Sequence, residues 1–212
     1  MQTSFSRRVL GTLVLTALIS CSGTKDNPYA AIQDPPMVQG RLQAVTLATD
    51  GATVAEQLQV KGYVPITFAS NYPVSTSVES SLWSVPEPVA AGVAHFKASD
   101  AAEPDVRVLK MALAASSRAP DPSVDKAFFE NVLGTGVPRL PAGLERTDKV
   151  RVQVWTYLIP DILAANRRFR EGGIPVVYDP VKITTAYLGD HETMAIRAPD
   201  GTIVELVETA AQ

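Results

Sequence analysis

One cysteine, Cys21, is all that the 212 residues contain. A disulfide within the chain, a thiolate metal centre and a paired-cysteine redox motif are therefore excluded together. Histidine is almost as scarce, and the two present, His95 and His191, follow no metal-binding spacing. Aromatic residues make up 7% of the chain, and 19 Lys and Arg stand against 22 Asp and Glu, a formal charge of −3. That balance lacks the basic excess that neutralises phosphates, so nucleic acid is not an expected partner. A phosphate-cradling Gly loop and a Gly-x-Ser-x-Gly elbow are also absent. The N-terminal apolar run, Val9 to Ile19, is shorter than the roughly 20 residues a membrane-spanning helix needs.

What is there suits a folded body of one domain or two fused modules: 46% hydrophobic residues for a core and 16 Pro for many loops. Arg7 and Arg8 before the uncharged run have the order of a secretory leader over residues 1–20. Removing them leaves 17 basic against 22 acidic side chains, a net charge of −5. Leu18-Ile19-Ser20-Cys21 resembles the lipobox of bacterial lipoproteins. That resemblance implies cleavage before Cys21, lipidation of its thiol and, with Ser22 following, attachment to the outer membrane facing the periplasm. Residues 21–40 are polar, carry Pro and lack periodicity, and read as a flexible tether.

Two similar units follow. In residues 41–113, Leu42–Ala48 reads as a strand, Val54 and Leu58 as the inner face of a short helix closed by Gly62, and Tyr63–Ala69, Gly92–Lys97 and Val106–Leu113 as three further strands. A long irregular connection is expected between Ser70 and Ala91. Residues 114–148 form the link between the units and hold a short helix around Val124–Leu133. In residues 149–212, Arg151–Ile159 reads as a strand and Pro160-Asp161 opens a helix whose inner face is Ile162, Leu163, Ala165 and Phe169. Gly172-Gly173 stops that helix, and strands are expected at Ile174–Tyr178 and Lys182–Leu188. His191 falls in an expected exposed turn. The chain closes on a hairpin, Thr193–Arg197 and Thr202–Val207, about Ala198-Pro199-Asp200-Gly201.

That hairpin resembles the last two strands of the vicinal oxygen chelate superfamily, which includes glyoxalases, extradiol dioxygenases and bleomycin-resistance proteins. The likeness rests on Arg197-Ala198-Pro199-Asp200-Gly201-Thr202-Ile203-Val204-Glu205-Leu206, with Ala198 where Asp is usual, on Ile159-Pro160-Asp161 and on Gly173-Ile174-Pro175-Val176. It implies an α+β fold in which two βαβββ modules form an open, curved mixed sheet around one cleft. It also implies a metal ligand at Glu205 and, by the family's spacing, at Gln43 and Val154. Valine cannot ligate, and the expected fourth strand offers no carboxylate, only Lys110. A divalent ion normally needs three or more protein groups, so no cofactor is expected. Were a metal present, Gln43, His95 and Glu205 would be its ligands.

Counting by twos from Ile203 sets Glu205 with Val207 on one face, a carboxylate among apolar neighbours. One reading makes it a general base or an acceptor for a ligand's hydroxyl or amine. The other makes it a structural residue, solvated or paired with Lys110, Lys182 or Arg197. A lone strand histidine such as His95 is more often structural than catalytic, and Trp83, Trp155, Tyr157 and Tyr187 are core residues or the lining of a cavity. Candidate ligand contacts are Gln43, His95, Thr156, Tyr187 and Glu205. Three functions stay open: metal-independent binding of a small organic molecule, a metal-dependent lyase or dioxygenase, and a non-catalytic envelope scaffold. Pairing into a homodimer is a further expectation, with the modules meeting within one chain or swapped between two.

Overall fold

The structure, a computed structural model, describes residues 27–30, 32, 35–49, 53–74, 78, 82, 89–111, 122–141, 143–144, 150–185 and 187–209. The leader, Cys21, Asp50 and Trp83 lie outside the described residues. The first unit runs β1 (Arg41–Thr49), α1 (Thr53–Val60), β2 (Val64–Val74), β3 (Val89–Lys97) and β4 (Asp105–Lys110). After a linking helix α2 (Pro122–Leu133), the second runs β5 (Val150–Ile159), α3 (Ile162–Glu171), β6 (Val176–Thr185), β7 (Gly189–Arg197) and β8 (Ile203–Glu208).

All eight strands join one sheet in the order β2-β3-β4-β1-β5-β8-β7-β6. In each unit the first strand lies parallel to the last, β1 with β4 and β5 with β8, and the remaining pairs are antiparallel. The units meet where β1 pairs antiparallel with β5. This is the twin βαβββ, α+β architecture that the resemblance implies.

Alternation along the strands sorts the side chains into two faces. Val45, Leu47, Val106, Val108, Val204 and Leu206 join the core cluster that contains Val54 and Leu58 of α1, Phe128 and Leu133 of α2, and Ile162, Ala165 and Phe169 of α3. The residues between them, Thr46, Arg107 and Glu205, turn to the opposite face. That face is concave. Tyr187 follows β6, yet its hydroxyl donates to Asp105 Oδ2 on β4 at 2.6 Å. Between β7 and β4 lie four strand steps, about 19 Å if the sheet were flat, so the contact requires the sheet to curl.

Several local expectations are corrected. Leu163 is 64% exposed, because Ile162, Ala165 and Phe169 already hold the buried stripe and Leu163 sits about 100° round the helix from Ile162. The two runs expected as separate strands after Gly173 are one strand, β6, which passes Asp179 and Pro180 through a register shift. His191 is not in an exposed turn but in β7, paired with Ile183 and half-buried. The segment expected as a free tether is docked at Tyr29 and at Met37, Val38 and Gly40. Asn131 donates to the Tyr29 carbonyl at 2.8 Å, the Met37, Val38 and Gly40 amides bond to α2 carbonyls, and Arg168 donates to the Met37 carbonyl.

Candidate functional site

Glu205 is 1% exposed at the middle of β8. Its carboxylate accepts from Thr156 Oγ1 at 2.8 Å and Thr193 Oγ1 at 3.4 Å, which supplies the donors that a buried carboxylate requires. Register explains the convergence, since Glu205 is level with Thr156 in the β5–β8 ladder and with Ala195 in the β7–β8 ladder. Thr193 also meets the Tyr178 hydroxyl at 3.2 Å. Burial, and then the field of Glu205, hold the Tyr178 phenol well above its ordinary range, while Arg107 opposes them. Tyr178 therefore feels both buried charges of the concave face.

Arg107 is the residue that sequence reasoning missed. It occupies in the first unit the place that Glu205 occupies in the second: Thr46 is level with Arg107 in the β1–β4 ladder, as Thr156 is with Glu205. Its guanidinium is 5% exposed and lies 5.2 Å from the centre of the Tyr187 ring. Next to it His95, 7% exposed, stacks obliquely on the same ring at 5.1 Å. Gln43 sits where the β1–β5 register shifts, between Leu42 and Ala44, and acts to lower the Tyr187 phenol's pKa. Burial and the bond to Asp105 push that phenol up. The sequence candidates thus fall into two groups on one curved face. Thr156 and Glu205 lie on the second unit, and Gln43 and His95 on the first are joined through Tyr187.

Burial first, and the Arg107 guanidinium second, push His95 down to about 4. Its imidazole is therefore neutral near pH 7. Because the unfolded chain binds that proton near 6.5 and the folded chain does not, the contribution to stability is complete above 6.5 and is lost as pH falls toward 4. We expect His95→Gln to remove about 2 kcal/mol of this acid loss after allowance for solvent screening. Urea unfolding of both proteins at about pH 7 and about pH 4.5 measures it; equal losses in the two would contradict the assignment.

Val154, where the resemblance implies a ligand, lies in an apolar cluster of the concave face, and the Arg107 guanidinium on the same face repels a cation. Among the described residues no three of His, Cys, Asp and Glu form a metal-holding group.

Part of the concave face is apolar. Leu82, from the connection between β2 and β3, is 2% exposed and packs with Val93, Leu109, Val154, Ala195 and Ile203. A groove is lined by Arg41, Gln43, Lys97, Asp100, Glu103 and Asp105.

Among solved structures the chain is similar to methylmalonyl-CoA epimerase from Mycobacterium tuberculosis, at 18% identity over 85% of this chain and 95% of that one, with a TM-score of 0.46. It is similar to the Mn(II)-bound glyoxalase from Novosphingobium aromaticivorans at 14% identity over 80% and 40%, TM-score 0.43. A mutant of 4-hydroxymandelate synthase from Streptomyces coelicolor matches at 11% identity over 82% and 50%, TM-score 0.48. No protein-family model and no curated protein matches the chain.

Proposed function

We propose that this protein binds a small organic molecule in the hollow between its two modules, against Glu205, without a metal ion. It would do so while held by a lipid on Cys21 to the outer membrane, facing the periplasm. The observation that carries the binding reading is the buried guanidinium of Arg107 at the place corresponding to Glu205. A site that balances one buried anion with one buried cation is suited to a polar organic guest and unsuited to Zn or Mn. Each Glu205 oxygen takes one threonine hydrogen bond and keeps a lone pair. It can accept from a ligand's hydroxyl or amine, or take a proton from it.

Leu82 favours a second reading, in which side chains fill the hollow and the protein serves as an envelope scaffold. Thermal unfolding of chelator-treated protein against a panel of small alcohols, phenols, amines and organic acids separates the two. Binding raises the midpoint in proportion to RT ln(1 + [L]/Kd), and we expect at least one compound to do so with chelator present and to lose its effect in Glu205→Gln. Stabilisation that appears only with added Mn or Zn would restore the metal-dependent reading. No stabilisation by any compound would leave the scaffold.

A further inference from the structure

Thr46, Arg107 and His95 form a row across three adjacent strands, since Arg107 is level with Thr46 on β1 and with His95 on β3. Neighbouring strands are about 4.8 Å apart, so the three side chains stand side by side on the concave face. All are more than nine-tenths buried. Among the described residues, each carries a buried polar atom without a hydrogen-bond partner: Thr46 Oγ1, Arg107 Nε and His95 Nδ1. Folded proteins leave few such atoms, because each costs about 1–3 kcal/mol. Three in one row point to a partner that comes from outside the chain.

Arg107 narrows the chemistry. A guanidinium cannot shed its proton to relieve burial, and among the described residues no carboxylate forms a salt bridge with it. The carboxylates of the hollow are engaged elsewhere: Asp105 accepts from the Ala98 amide and the Tyr187 hydroxyl, and Glu205 from its two threonines. The Arg107 Cζ stands over the Tyr187 ring, 5.2 Å from its centre, and Nε–H donates in the guanidinium plane. That is the direction from which a planar carboxylate is bound.

We infer that Thr46, Arg107 and His95 are an oxyanion subsite that takes the carboxylate of a small organic acid. This rests on the small-molecule reading above and adds the ligand's charge to it. The threonine hydroxyl and the neutral imidazole, in its Nδ1–H tautomer, supply two further donors beside the guanidinium. Glu205 remains for a hydroxyl or amine elsewhere on the same acid.

The test follows the Arg107 Nε–H resonance of the 15N-labelled protein during titration with lactate and with benzoate. Benzamide is the neutral twin of benzoate, and inorganic phosphate is the competing anion. We expect at least one of the two acids to shift that resonance saturably and benzamide to leave it unmoved. Arg107→Met should weaken acid binding by about tenfold to a hundredfold, the loss of one charged hydrogen bond. Arg107→Lys, which keeps the charge but not the Nε donor, decides the matter if the Met variant does not fold, and should weaken binding severalfold. The inference is overturned if benzamide binds as tightly as benzoate or if the variants keep wild-type affinity. It is equally overturned if phosphate alone binds, or if no probe moves the resonance. Neutral compounds that still act through Glu205 would then leave the wider reading of the hollow standing, whereas silence from charged and neutral probes alike would remove both.

Discussion

Replacing Thr156 and Thr193 together by valine is expected to lower the unfolding free energy by about 3 kcal/mol, although valine matches threonine in shape. The change removes the Thr156 hydroxyl, which donates to the Glu205 carboxylate at 2.8 Å, and the Thr193 hydroxyl, which shares its one proton between that carboxylate at 3.4 Å and the Leu206 carbonyl at 3.1 Å, and it leaves a 1%-exposed carboxylate without those donors. Hydrogen bonds to a charged group are worth about 1.5–3 kcal/mol each, and the longer one sits at the lower end. The loss should be largely recovered when Glu205→Leu is added, because an apolar residue needs no donor. Urea unfolding of the single, double and triple variants at neutral pH gives the coupling directly. A penalty that is the same with and without Glu205 would show that the threonines act through packing and not through the carboxylate.

Phe169→Ala should cost more, about 3–5 kcal/mol, the range for truncating a large aromatic side chain in a packed core. Phe169 is fully buried on α3 and shares its stripe with Ile162 and Ala165. It belongs to the cluster that fastens the helices to the convex side of the sheet. As a whole domain is stable by only about 5–15 kcal/mol, the variant should lose a large part of its denaturation midpoint. Leu163→Ala, six residues earlier on the exposed side, should change stability by less than about 0.5 kcal/mol. Comparable shifts for the two would contradict the placement of α3.

The parts legible in the sequence are those that local chemistry decides. At Ala198-Pro199-Asp200-Gly201, Gly201 has φ +89°, the Asp200 carboxylate accepts from the Thr202 amide at 2.8 Å, and the Ala198 amide closes on the Thr202 carbonyl. Each of these follows from the residue type alone. Asp161 likewise caps α3 by accepting from the Ala164 amide at 2.7 Å. The two-module architecture was legible through the resemblance carried by the last hairpin, with the strand and helix runs of both units in the order it implies.

The site was only half legible, because its other half depends on pairings far apart in the chain. Val106-Arg107-Val108 alternates correctly for a strand, but alternation does not say whether the odd face meets water or a hollow. Only the register with Thr46, some 60 residues earlier, shows that it is the hollow. Tyr187 joins Asp105, Arg107 and His95 across four strands by virtue of sheet curvature, for which no local residue pattern exists. Gln43 lies at a register shift, where counting by twos fails. Asp179-Pro180 resembles a turn, but in β6 a bulge absorbs it.

The most direct test is a methyl NMR titration of chelator-treated protein with small organic acids, following Thr156 and Thr193 on either side of Glu205. The account predicts that a bound acid shifts both methyl signals together, saturably and with no metal added. Shifts that spare both signals, or that require Mn or Zn, would contradict it.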